Sequence, residues 1–103
     1  MYFYDTDVVK KWENNFPWYA ANCATWAEQA KGSAKLNKWV TLANNGISAK
    51  LQHYNPIIDD LVREAFDIPT NWNLRAQMPF GSIEGSAKDK DYMDRKDQFK
   101  VLK

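Results

Sequence analysis

Apolar and polar positions alternate in short blocks along this chain, and each block predicts an element. "MYFY" at 1–4 is an apolar, strand-like stub, and strand edges need partners. "DTDVVKKWENNF" follows, with Asp5, Thr6 or Asp7 placed to cap a helix and Val8, Val9 and Trp12 on one face of it. Pro17 lies just past its end. "WYAANCATWAEQ" carries no clear period and reads as loop or short helix. From about Ala27 to Asn45, Leu36, Trp39, Val40 and Ala43 recur at i, i+3, i+4 and i+7, and Ala27, Ala30 and Ala34 extend that stripe backwards. This predicts a long helix buried along the stripe, with Lys31, Lys35 and Lys38 as its solvated face. Gly46 stands where a left-handed cap is expected, and Gly32 implies close packing or a kink.

Ile47, Ala49 and Leu51 alternate with Ser48, Lys50 and Gln52, the pattern of a half-buried strand. Asn55 then suits an N-cap and Pro56 a first helical residue, before an apolar stripe of Ile57, Ile58, Leu61, Val62, Ala65 and Phe66. "DIPTNW" is a turn. Leu74, Ala76 and Met78 alternate with Arg75 and Gln77 in a second strand that Pro79 ends. The stretch from Gly81 is charged and aperiodic, an arm from about residue 82. The expectation is one α+β domain over 1–103, with helices packed on a small sheet.

Composition changes this picture in one respect. Five Trp, five Tyr and five Phe in 103 residues are a large apolar load for so short a chain. Such side chains usually need a core or an interface, which predicts a companion surface. Charge excludes rather than suggests: 14 Lys plus Arg against 13 Asp plus Glu give no pull toward nucleic acid or anionic membrane. Cys23 is alone, so no intrachain disulfide forms, which suits a reducing cytoplasm. No secretory signal or membrane-spanning run is evident.

Candidate chemistry is sparse. His53 is the sole histidine and lacks partners at metal-ligand spacing. Asp59 and Asp60 read as first-turn acids of a helix. The exception is "LQHYN", residues 51–55, at a strand end and just before a predicted helix start. Free backbone N–H groups and the helix dipole there favour electron-rich ligands, and Tyr54 and His53 could stack on a flat ring. An ordinary loop explains the same residues.

Three segments carry a resemblance. "WAEQA" at 26–30, "SAKLQHYNPIIDD" at 48–60 and "NLRAQMPFG" at 73–81 are similar to the flavin-dependent nitroreductases, in the branch of the fungal fatty-acid-repression-mutant proteins and their bacterial relatives. The resemblance runs along essentially the whole chain and covers the C-terminal half of a family member. It implies an FMN-dependent homodimer that uses NAD(P)H to reduce nitroaromatics and quinones, with the helix around 27–45 as its dimer helix. It implies that Leu51, Gln52, His53, Tyr54 and Asn55 pass the isoalloxazine ring, with the His53 amide facing N5. It also implies that the C-terminal "QFKVLK" approaches the FMN phosphate, Lys100 filling one basic position and Gln98 standing where arginine is expected. The family's first half, with its own phosphate-binding residues, has no counterpart here. The alternative reading is a non-catalytic remnant or split piece acting as an oligomerising module.

Overall fold

A computed structural model describes all 103 residues. Four strands and four α-helices follow one another: β1 (Tyr2–Asp5), α1 (Thr6–Asn15), α2 (Ala20–Asn44), β2 (Ile47–Ala49), α3 (Asp59–Phe66), β3 (Trp72–Ala76), β4 (Phe80–Ser82) and α4 (Arg95–Gln98). The class is α+β, as the patterns predict, but the sheet is split. β1 pairs antiparallel with β3, placing Phe3 against Leu74 and Asp5 against Trp72. β2 pairs antiparallel with β4, placing Ile47 against Ser82 and Ala49 against Phe80.

The two sheets share one continuous run. Beyond Ala76 the chain leaves β1 and turns its hydrogen bonds toward residues 50–52. Gln52 and Gln77 exchange backbone bonds of 2.8 and 2.9 Å, and the Lys50 N–H donates to the Pro79 carbonyl at 3.0 Å. Residues 72–82 therefore act as a spine that changes partner at Gln77. The core sits on this spine: of the seven buried residues, Leu74, Ala76, Gln77 and Met78 belong to it, and only Cys23, Lys35 and Val62 lie elsewhere.

Asp5 ends β1 and caps α1. Its Oδ1 accepts from the Asp7 and Val8 amides at 2.9 and 3.4 Å and from Asn71 Nδ2 at 2.8 Å, which ties the helix start to the loop before β3. Thr6 reinforces the tie, its N–H and Oγ1 both donating to the Asn71 carbonyl. The Asp7 amide, chiefly, holds the Asp5 carboxyl below its ordinary value of 3.8. A depressed carboxyl stabilises the fold fully above that ordinary value, and the contribution is lost as pH falls through the folded-state pKa. Asp5→Asn keeps a capping side chain but does not titrate. Its melting temperature is expected to fall less steeply than that of the parent as pH drops from 5 toward 3. Parallel profiles would remove Asp5 from the acid response.

Several expectations are corrected. Helix α2 begins at Ala20, so "WYAANCATWAEQ" is mostly its first turns. No side chain caps this start, which follows directly from a 3₁₀ turn at Pro17–Tyr19, so the sequence offers no start signal there. The stripe of α2 is not buried: Leu36 is 60% exposed, Trp39 38% and Val40 49%. Part of the lysine face is covered instead, Lys38 staying exposed. Lys35 is buried, and the Lys31 ammonium lies 5.4 Å from the centre of the Tyr4 ring. Burial pushes the Lys31 pKa down, Glu28 opposing and Lys35 and Arg75 adding to the fall. A Cβ at Gly32 would meet nothing within 4 Å, so that glycine marks no close approach. Gly46 does take the left-handed conformation, at φ +70°, and the Gly46 N–H donates to Ala43.

Helix α3 starts at Asp59, not Pro56, because residues 55–58 form a turn. Asn55 caps nothing: its Oδ1 is buried and accepts no hydrogen bond. Ile57, Leu61 and Phe66 are exposed, and Val62 alone carries that stripe inward. Phe80–Ser82 form a strand that the arm reading overlooks.

Candidate functional site

Residues 51–55 leave β2 along the edge of the spine. Gln52 is fixed through both its N–H and its carbonyl to Gln77. The Tyr54 N–H, two residues on, donates to Gln77 Oε1 at 2.8 Å. Between them the His53 N–H donates to nothing in this chain. The His53 imidazole is turned back, with Nδ1 3.0 Å from the Arg75 carbonyl. A carbonyl only accepts, so Nδ1 carries a proton, and in the neutral ring Nε2 is the acceptor end. The Tyr54 side chain is about half exposed. One residue at a strand end thus presents an unengaged amide between two anchored neighbours.

The support beneath this platform is polar. Arg75, whose carbonyl holds His53, pairs through Nε with Glu28 Oε1 of α2, and its guanidinium lies 6.0 Å from the Tyr4 ring centre. The strand β3 thereby joins His53, α2 and β1. The dipole of α3 does not act at the platform, because the turn at 55–58 separates it from the start of that helix.

Gln77 is the residue that sequence reasoning missed. Alternation assigns it to the polar side of a strand, opposite Ala76 and Met78. Instead it is buried, with Oε1 committed to Tyr54 and Nε2 without a partner. Its only signal in the sequence is its place inside "LRAQMPFG". The predicted phosphate-end residues lie elsewhere. Gln98 ends α4 and its Nε2 donates to the Met93 carbonyl, while Lys100 is exposed two residues beyond. No hydrogen bond or ion pair joins Gln98 or Lys100 to residues 51–55.

A second feature is an apolar groove of about 520 Å³ between α1 and the start of α2. Trp12 and Phe16 stack on one wall with ring centres 5.3 Å apart, and Tyr19 and Trp26 form the other at 5.7 Å.

No family model matches the chain. Individual proteins do. The chain is 34% identical over 93 residues to the nitroreductase candidate HBN1 of Saccharomyces cerevisiae, covering 90% of this chain and 47% of that protein. It is 28% identical over 94 residues to nitroreductase FRM2 of the same organism, covering 91% and 48%. Nitroreductase CinD from Lactococcus lactis, solved in complex with 4-nitrophenol and also with chloramphenicol, superposes with a TM-score of 0.94 at 46% identity. That match covers 98% of this chain and 54% of CinD in its 4-nitrophenol complex. The chain spans about half the length of each relative. In sequence and in fold, then, it corresponds to the C-terminal half of a nitroreductase, and it is to that family of oxidoreductases that it is related.

Proposed function

We propose that this chain forms the flavin-facing half of an FMN-dependent oxidoreductase that uses NAD(P)H to reduce nitroaromatics and quinones. The free His53 N–H, held between the anchored Gln52 and Tyr54 amides, carries this reading. The residues present fit a flavin: an unengaged donor, the His53 N–H, stands next to the exposed Tyr54 ring, just past the Gln52–Gln77 bridge. FMN supplies the two-electron carrier that links the nicotinamide donor to the acceptor. The protein's part is positional and electrostatic. A fixed N–H at the ring edge favours the electron-rich reduced form, and it costs no reorganisation because its neighbours are already bonded. Leu51 and Tyr54 offer apolar area against the ring face. Asn55 closes the platform, and on the C-terminal arm Lys100 is the residue left for the phosphate, Gln98 being bonded to the Met93 carbonyl. The CinD complexes support nitroaromatics as the acceptor class. The test is titration of the purified chain with FMN, followed by quenching of flavin fluorescence. Saturable binding and a yellow protein are expected, and a colourless chain that takes up no FMN overturns the reading.

The reading includes a dimer, and the surface supports association. The chain exposes 8794 Å². A compact monomer of 12.0 kDa exposes about 6,000 Å². The radius of gyration, 17.8 Å, likewise exceeds the roughly 13 Å of a compact chain this long. Sedimentation at micromolar concentration is expected to give a dimer or larger species, and a clean monomer that binds no hydrophobic dye would contradict it. No helix is long and apolar enough to cross a membrane. The single free cysteine is compatible with the cytoplasmic location that this reading includes.

A further inference from the structure

We propose that Lys31, Lys35 and Arg75 form a binding site for a small oxyanion of the phosphate type, on the face of α2 that meets β1 and β3. The site stands apart from the flavin platform, which uses the Arg75 carbonyl and not its side chain. Glu28, Lys31 and Lys35 lie at i, i+3 and i+7 and so share one face of α2. Tyr4 stands opposite, its ring held by Asn73 Nδ2, which donates to the hydroxyl at 3.1 Å. The Lys31 ammonium and the Arg75 guanidinium converge on that ring, 5.4 and 6.0 Å from its centre.

Charge on this face does not balance. Glu28 is its one acid and pairs with Arg75 Nε. Lys31 and Lys35 make no ion pair and no side-chain hydrogen bond, and the Arg75 Nη groups make no hydrogen bond within the chain. Lys35 is 9% exposed, and a buried charge is normally paired. Its ammonium is not sealed in, because the enclosed polar atoms without a partner belong to Asn55, Asp59, Arg63, Arg75 and Gln77. Lys31 and the Arg75 side chain are part-exposed, so an ion from solvent has access to the cluster. Burial, with Lys35 and Arg75 adding to it against Glu28, holds the Lys31 pKa down, as expected where a counter-charge is missing. Two ammoniums and a planar guanidinium are a donor set suited to phosphate oxygens, and a dianion cancels the two unpaired charges. A free phosphate ion and the phosphate of a flavin nucleotide share this chemistry.

The probe is inorganic phosphate, compared with chloride at matched ionic strength and neutral pH. Two readouts are taken on the full chain: the thermal midpoint, and the side-chain signals of carbon-13-labelled lysine. Phosphate at ten times its Kd is expected to raise the midpoint by roughly 5–10 °C, and chloride far less. Lys35→Met keeps the apolar stem without the charge and is expected to lose the phosphate response. A parental response in Lys35→Met overturns the site, and so does a parent that responds to phosphate and chloride alike. If Lys35→Met does not fold, Lys31→Gln decides: phosphate binding several-fold weaker supports the site, and unchanged binding overturns it. If the parent shows no cooperative transition, the lysine signals decide. Those of Lys31 and Lys35 are expected to shift saturably in phosphate only, while those of Lys88, Lys90 and Lys103 on the arm move alike in both salts. Arm and cluster signals that move together overturn the site. FMN and riboflavin then name the source of the anion. Phosphate that weakens FMN binding and leaves riboflavin binding unchanged assigns the site to the nucleotide's own phosphate, and phosphate that binds without affecting FMN assigns it to a free ion.

Discussion

Leu74→Ala is expected to leave the chain close to unfolded at 25 °C. Leu74 is 5% exposed, sits opposite Phe3 in the only contact ladder that β1 makes, and is the largest aliphatic side chain of the spine's core. Truncating a buried leucine removes transfer free energy and leaves a cavity, together costing about 2–5 kcal/mol. A small domain holds only about 5–15 kcal/mol in all, and a chain with seven buried residues belongs near the low end. Circular dichroism during heating should show a loss of the cooperative transition or a large drop in its midpoint. Trp39→Ala is the control. The periodicity of α2 makes it look like the larger loss, yet Trp39 is 38% exposed, so its removal is expected to shift the transition far less. An unchanged midpoint for Leu74→Ala would mean that β1 does not pair with β3 in this register.

His53→Pro is expected to abolish flavin binding, whereas His53→Ala and Tyr54→Ala weaken it only several-fold. Proline deletes the unengaged amide, fixes φ at its own position and restricts Gln52 before it. It therefore disturbs the Gln52–Gln77 bridge as well as the donor. Alanine at 53 loses only the contact between Nδ1 and the Arg75 carbonyl, and alanine at 54 only an exposed ring. FMN titration, with circular dichroism to confirm folding, distinguishes the cases. Equal affinity in all three variants would reduce residues 51–55 to an ordinary loop. If His53→Ala abolished turnover with binding intact, the free Nε2, and not the amide, would be the functional group.

Legibility in the sequence followed locality. Asp5 as a cap, Gly46 in the left-handed region, and the turn around Asp67, itself at φ 51°, depend on neighbours within a few residues. Leu74, Ala76 and Met78 were legible because alternation and burial agree along one strand. Burial on the helices was not. The stripe of α2 is apolar, but the covered face is set by what β1 and β2 bring against it, and these bring Tyr4 to Lys31. The motif at 51–55 was legible as a unit, but its support was not. Gln77 lies on another strand, and alternation mis-assigns it because the spine changes partner at that residue. Asn55-Pro56 imitates a helix start, and only the unpartnered Oδ1 reveals a turn.

The pairing of β1 also dictates an order of events during synthesis. Tyr4 and Asp5 meet partners 69 and 66 residues later in the chain, at Asn73 and Asn71. A ribosome releases the chain from its N-terminus at roughly 5–20 residues per second. β1 is therefore complete for seconds before its partner strand β3 exists. Helices α1 and α2 close through local contacts and can form in that interval, but β1 must wait for the spine. Contacts this distant in sequence slow folding, because loop closure precedes any gain from pairing. The pairing of β1 is expected to wait for Trp72–Ala76, and released chains truncated on either side of residues 72–76 would show that dependence by their protease sensitivity.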